Sequence, residues 1–529
     1  MAPTAMGQAG AGVIRGMSKV LGSIGVRGRW FMRQTAGAMT VAGLLTAPLA
    51  AAPQTTAQVP QPAQGPPVNL LPPPAPVPMA PPAPVIPLPT LTAVQSVQLA
   101  TLINSDAIAQ GLRYAGGTPA SFSDNDTLVR AALDHAHAVH AGRLDPADFQ
   151  KDWGLRPLPY DPLPAFADAV KRDRLAQWIA SLPPPYAGYD GLRKGLATYR
   201  AIDAAGGWPA LAAGPDLGLG ASGARVAALR QRLAVEDAQV KRSGDKFDAE
   251  LVEAVRRAQR RYGLNPTGTV AGQTLAALNV PAGERVRQIM ANMERWRWLP
   301  QDLPKNRIQV NIAAAILTVF DGDVPVQSMR AVTGRPGDET PMLQSKIHSI
   351  VINPPWNVPS SIATRELWPK EKKSPGYLKR NGFKVIDTGN GGTRLQQAAG
   401  TRSALGRYKF DFDNNFSVYL HDTPSQSTFQ QYSRLASHGC VRLEKPAELA
   451  NLLLKNESAW GSDAIEAAVD KGNTVRARIS DPVTVYLLYW TAFASSSGQM
   501  NFRADPYNWD GKLAAKIEAR SGRTAVAAR

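Results

Sequence analysis

Acyl transfer through sulfur needs a nucleophilic thiol, an imidazole to take its proton and donors for the developing oxyanion. The stretch from Phe416 to Leu443, FSVYLHDTPSQSTFQQYSRLASHGCVRL, carries residue types for all three. It holds Cys440, the single cysteine of the chain, and His421 and His438, two of the six histidines. Eighteen residues separate His421 from Cys440, enough for a loop and a return to the same place. Ser417, Tyr419 and His421 alternate with Phe416, Val418 and Leu420, which predicts a short half-buried strand ending at His421. Gly439 allows the backbone to turn closely beneath the sulfur, so the amides of Gly439 and Cys440 are the oxyanion candidates. Residue type and spacing reach no further, because a lone cysteine is also a common small core residue.

The string Ser437-His438-Gly439-Cys440-Val441-Arg442, with His421 upstream, resembles the active-site motif of the YkuD-type L,D-transpeptidases, cysteine enzymes that cross-link bacterial peptidoglycan. Three further stretches, ERWRWLP at Glu294–Pro300, NPPWNVP at Asn353–Pro359 and YLHDTP at Tyr419–Pro424, resemble the large multi-domain periplasmic members of Gram-negative bacteria. The likeness runs from about residue 90 to 515 and is firmest from 215 to 450. It implies Cys440 as nucleophile and His421 as its base, oriented by a backbone carbonyl. Gly439, His438 and Ser437 would form or organise the oxyanion loop, and Arg442, Tyr419 and Asp422 would meet substrate. The implied reaction takes a tetrapeptide stem as donor, expels its terminal D-alanine and leaves a thioester. The diaminopimelate amine of a second stem then closes a 3-3 cross-link. The segment Gln397–Gly406 lacks the proline and asparagine common in the family, so donor recognition on that wall does not carry over. Water as acceptor would give an L,D-carboxypeptidase, another amine a 1-3 linkage, and a lipoprotein lysine an anchoring enzyme. From a different class, a wall-binding scaffold with an inert Cys440 is the alternative. No cofactor or metal is implied.

The elements that must position these residues follow from composition and periodicity. At 529 residues the chain has room for several cores, and one cysteine excludes an intramolecular disulfide. A net charge of +17 is spread without a homeodomain, zinc-finger or RGG pattern, which argues against nucleic acid and suits an anionic polymer. The expected class is multi-domain α+β, with a mainly β catalytic domain at the C-terminal side. Residues 1–52 read as a signal peptide or N-terminal anchor: Arg15, Lys19, Arg27, Arg29 and Arg33 precede an apolar run to Ala52. Residues 53–89 are a proline-rich linker. Residues 90–212 have helical periodicity in four segments, and 213–281 resemble a three-helix peptidoglycan-binding module in which Asp248 caps a helix. A connecting helix covers 282–306. Strand-like runs fill the catalytic domain, 307–480, interrupted at 360–380 by a helical, lid-like insertion, and 481–529 add strands and a fraying tail. His135, His137 and His140 are too poorly spaced on a helix for a metal site. The expected location is the periplasm. Expected partners are peptidoglycan stems as donor and acceptor, with wall-synthesis proteins and an inner-membrane tether as further candidates.

Overall fold

Apolar residues recurring at helical intervals after Thr90 produce five helices: α1 (Ala93–Ala109), α2 (Asn125–His140), α3 (Leu163–Lys171), α4 (Leu175–Ser181) and α5 (Ala187–Ala204). Thr92 and Gln95 close a reciprocal capping box on α1, and Asp124 caps α2. Four helical segments were expected and five helices form, because the segment holding Phe166 and Trp178 is two. The chain breaks it at Asp173, which takes φ +54°, and the two rings instead meet 4.8 Å apart across the bend. Leu99, Ile103, Val129, Phe166 and Leu175 make a small core for α1–α4. His135 bonds Asp106 (Nε2–Oδ2 2.8 Å), and His140 stacks on Tyr160 at 3.7 Å.

This computed structural model describes residues 87–112, 122, 124–389 and 392–520. They lie within the unit Ala83–Arg529. The signal or anchor (1–52), the linker up to residue 86 and the end of the tail from residue 521 lie outside the described residues. Among the described residues no helix is long and apolar enough to cross a membrane.

Helices α6 (Ala224–Ala234), α7 (Ala249–Arg261) and α8 (Gly272–Leu278) form the three-helix module. Asp248 Oδ1 accepts from the Leu251 amide and caps α7. Gln259 ties the following turn, donating to Thr267, Thr269 and Thr274. Helix α9 (Ala282–Trp296) is buried nearly all round, which accounts for its mixture of charge and aromatics. Its last arginine and the one just beyond its end are paired inside: Arg295 with Asp510 (2.5 Å) and Arg297 with Glu294 (2.9 Å). Trp296 stacks on Trp490 at 4.5 Å. One apolar core runs through this module, α5, α9 and the strands that follow.

Those strands are β1 (Asn306–Asn311), β2 (Ile316–Asp321), β3 (Val324–Gly334), β4 (Leu343–Ile352), β5 (Trp356–Asn357), β6 (Phe383–Asp387), β7 (Thr393–Gln397), β8 (Tyr408–Phe412), β9 (Leu420–His421), β10 (Leu435–Ser437), β11 (Val441–Leu443) and β12 (Val475–Leu488). The main sheet has the order β10-β3-β11-β9-β8-β4-β12-β1-β2, and β2 pairs again with β3. The long β3 serves both ends: Val324–Arg330 pairs with β2, and Ala331–Val332 with β11. Eight strands therefore close on themselves, which removes open edges and fixes the register of the short ones. Ile308, Leu317, Ile350, Phe410, Leu420 and Val441 fill the interior.

Four expectations change. The strand ending at His421 is two residues long, because Asn414 accepts from the Phe416 and Val418 amides and bends the chain, with Ser417 at φ +57°. The insertion is larger than 360–380. Short helices between Ser360 and Arg380 join the three-stranded sheet β5-β7-β6 around Val358, Ile362, Leu367, Phe383 and Leu395. The strands expected on either side of residue 480 are one strand, Val475–Leu488, with a bulge between Arg478 and Val483. The tail expected to fray is ordered as far as Arg520: a helix at Trp509–Arg520 buries Trp509, Leu513 and Ile517.

Candidate active site

Short parallel pairing brings the chemistry together. Strand β11 lies beside β9 with Val441 opposite Leu420 and Arg442 opposite His421, and the Val441 amide donates to the Tyr419 carbonyl (3.1 Å). On the other side of β9, Lys409 of β8 is opposite His421. Leu420, Val441, Leu443 and Phe410 point into the core, so alternation sends Tyr419, His421, Cys440, Arg442 and Lys409 to the outer face. Cys440 sits alongside Tyr419, and His421 is its diagonal neighbour, on the order of 6–7 Å away between Cβ atoms.

His421 is buried, and its Nδ1–H donates to the Asp422 carbonyl at 2.5 Å. That bond leaves Nε2 as the proton acceptor. Burial, with the Arg442 charge behind it, pushes the imidazole down to about 3 against the pull of the Asp422 carbonyl; Lys409 adds to the fall. Burial likewise pushes the Cys440 thiol up. The Tyr419 amide and phenol beside the sulfur, and the Lys409 and Arg442 charges, hold that rise back. At neutral pH the pair is thus an uncharged thiol and an uncharged imidazole. The surroundings favour a thiolate only as the proton leaves.

The Ser437–Cys440 loop is held from within and from below. Ser437 Oγ donates to the Cys440 carbonyl (2.5 Å) and accepts from the Gly439 amide (3.2 Å). The Gly439 amide is therefore spent on the loop, which corrects its expected oxyanion role and leaves the Cys440 amide as the candidate. Gly439 takes φ +109°, a left-handed conformation that a side chain would strain. Its carbonyl accepts from Thr340 Oγ1 (2.8 Å), which in turn accepts from the Gly334 amide (2.8 Å). Tyr507 donates to the Gly334 carbonyl (2.5 Å), so the C-terminal segment underpins the same loop.

His438 turns away from this frame towards the insertion. Its Nε2 meets Glu366 Oε1 at 2.6 Å and Arg335 Nη2 at 3.1 Å. Arg335 also pairs with Asp338 (2.8 Å) and Glu366 (3.3 Å), and Asp338 with Arg365 (2.8 Å). Five side chains from three segments thus clasp the insertion to the cysteine loop.

The expected substrate residues separate. Both Asp422 oxygens accept from backbone amides, of Arg407 (2.7 Å) and Thr423 (2.6 Å), so this carboxylate closes its own turn and is not offered to substrate. The Tyr419 ring packs edge-on against His421 (5.6 Å) with the Lys409 ammonium over its face (4.4 Å). Arg442 is half-buried with a partnerless Nε, and its side chain makes no hydrogen bond or ion pair among the described residues. Lys409, Thr340, Glu366 and Tyr507 escaped the sequence reading, since only strand register and loop closure bring them here. Among the described residues no group of three His, Cys, Asp or Glu side chains comes together as a metal site.

Comparison with known families decides what this constellation belongs to: residues 305–484 match the family "L,D-transpeptidase catalytic domain". The chain carries a YkuD domain. Ahead of it, residues 117–196 match a "Scaffold domain" and 222–278 a "Putative peptidoglycan binding domain". A "Putative L,D-transpeptidase" of Haemophilus influenzae is 33% identical over 246 residues, 43% of this chain and 49% of that protein. The chain thus spans about half the length of that relative. Among solved structures, an L,D-transpeptidase of Xylanimonas cellulosilytica is 18% identical and covers 52% of this chain and 99% of its own, with a TM-score of 0.18. One from Stackebrandtia nassauensis is 15% identical and covers 52% and 97%, with a TM-score of 0.21. The YkuD domain here is the closed sheet that presents Cys440 and His421, preceded by the helical scaffold and the three-helix module.

Proposed function

We propose that this protein is an L,D-transpeptidase that forms peptidoglycan cross-links through a thioester on Cys440. In the first step the Cys440 proton passes to His421 Nε2 as the sulfur attacks the diaminopimelate carbonyl of a tetrapeptide stem. The C–N bond to D-alanine breaks, and the imidazolium returns the proton to the leaving amine. In the second step the side-chain amine of diaminopimelate on another stem attacks the thioester carbon. His421 takes the amine proton, the C–S bond breaks and the thiol is restored with a 3-3 link made. The donor's bond energy is kept in the thioester, so no nucleotide is needed.

The observation that carries this reading is a single outer face on which the sulfur, a neutral imidazole held by the Asp422 carbonyl and the unpaired Arg442 cation stand together. Arg442 suits a substrate carboxylate, and the Cys440 amide suits the oxyanion. The module at 222–278 supports the same substrate class. We place the reaction in the periplasm, with the segment before residue 87 as signal or tether.

The test is incubation of the full chain with disaccharide–tetrapeptide units, with products read by mass. Cross-linked dimers with loss of D-alanine are expected. Loss of D-alanine without dimers would replace the transpeptidase by a carboxypeptidase, and no change in the fragments would remove both.

A further inference from the structure

The outer face that carries Cys440 does not end at Lys409. On β4, Ile347 is a core residue and Gln344, Lys346 and His348 alternate with it to project outward; the register shift between Ile347 and Ser349 keeps them on the same side as Lys409 and Asp411 of β8. There they border a cleft of about 670 Å³, completed by Gly154, Leu155, Arg156, Asp413 and Pro482. Its far wall is fixed. The Leu155 amide donates to the Met342 carbonyl (3.1 Å), the Met342 amide to Asp152 (2.8 Å), and a Cβ on Gly154 would come within 2.7 Å of Phe416.

The charge of the cleft is unbalanced. Lys346 and Arg156 are exposed, and neither has an ion-pair partner among the described residues. Arg156 rests over the Phe149 ring at 4.2 Å and donates to the Leu155 carbonyl (3.2 Å). The one carboxylate, Asp413, is 3.6 Å from His348 and almost fully exposed. Towards the sulfur, Arg476 and Lys409 flank a single Asp411 at 2.7 Å each. A cationic track therefore leads from the cleft to the side of His421.

Cys440, Tyr419, Asp411 and Ser349 share one rung, so three strand spacings of ~4.8 Å and about three residues of ~3.3 Å put Lys346 roughly 17 Å from the sulfur. An extended four-residue stem covers ~14 Å. A single stem held at Cys440 stops short of Lys346, whereas a glycan strand bearing more than one stem spans the gap.

We propose that this cleft is a second subsite, which takes a carboxylate-bearing stem of the acceptor strand while another stem of that strand presents its amine to Cys440. This rests on the transpeptidase reading, and it adds a preference for acceptors with more than one stem. Donor acylation does not use the cleft.

The test is the charge-reversed double variant Arg156→Glu/Lys346→Glu in the full chain, with its melting temperature as the check on folding. The acceptor is a two-unit disaccharide–tetrapeptide chain and the donor a single unit. The acceptor concentration for half-maximal cross-linking is expected to rise about tenfold, while the rate of thioester formation from donor alone stays as in the parent. An unchanged half-maximal concentration, or an equal loss in acylation, would overturn the proposal. Binding of the same two-unit chain to Cys440→Ala protein separates this from failure of the chemistry. With no thioester in the parent, a dissociation constant weakened about tenfold by the charge reversal still supports a wall-strand site, and an unchanged one removes it.

Discussion

At the scale of the residue, the site works from a neutral resting state. Because burial raises the Cys440 thiol and holds His421 down to about 3, no thiolate–imidazolium pair is present at pH 7. Alkylation of Cys440 by iodoacetamide is therefore expected to climb steadily from pH 6 to 9. A plateau across that range would indicate a preformed thiolate. The same depression of His421 bears on stability. Its folded value lies below that of an unfolded histidine, so the unfolded chain binds the extra proton as pH falls from about 6.5 towards 3. Stability held above 6.5 is lost through that window. His421→Gln is expected to show a shallower fall in melting temperature between pH 7 and 4 than the parent. Thr340→Val removes the donor to the Gly439 carbonyl and the acceptor of the Gly334 amide, at an expected cost of ~1–3 kcal/mol in denaturant melts.

At the scale of the element, the reach of the sequence is uneven, for physical reasons. Cys440 and His421 stood out because the string from Ser437 to Arg442, with a histidine upstream, resembles a family motif; the carbonyl that orients the imidazole came from that resemblance alone, and here it is that of Asp422. The strand around them was overread. Alternation from Phe416 to His421 is real, yet the Asn414 side chain bonds two amides and turns the chain before Leu420. Side-chain competition for backbone groups leaves no mark on hydrophobic period. The insertion was underread for a similar reason: β6 and β7 pair with one another across a separate small core, and Asp387 through Thr393 reads as an ordinary polar turn. Its clasp to the cysteine loop was out of reach, since Glu366 and His438 are 72 residues apart. Glu366→Gln keeps the shape and removes the charge that holds His438, Arg335 and, through Asp338, Arg365 in one cluster. We expect faster amide exchange across Trp356–Gln397 and a several-fold faster reaction of Cys440 with a bulky maleimide. Unchanged exchange would show that the clasp does not hold the insertion.

At the scale of the whole molecule, the sequence divides more cleanly than the core does. The apolar cluster containing Val286 and Trp298 also contains Leu229, Ile308 and Leu513. Buried polar links reinforce it: Asn292 with Thr491, Arg295 with Asp510, Tyr507 with Gly334. Helical periodicity revealed the module and the connecting helix, but it could not reveal that Arg295 of α9 is inside, because its partner Asp510 comes from the far end of the chain. A fragment limited to 305–484 lacks both α9 and the Tyr507 support. It is expected to melt at least ~10 °C below the full chain, the shift that a loss of a few kcal/mol gives in a domain of this size. An equal melting temperature would show that the YkuD domain is self-sufficient.

The most direct test of the central claim is the mass of the protein itself. The full chain is mixed with a disaccharide–tetrapeptide unit, quenched in acid within the first turnovers and mapped by peptide mass. The predicted result is an adduct equal to the unit less D-alanine, on the peptide that contains Cys440, absent in Cys440→Ala and slow to appear in His421→Gln. A folded protein whose Cys440 peptide stays unmodified while D-alanine is released, or whose adduct sits elsewhere, would contradict the account.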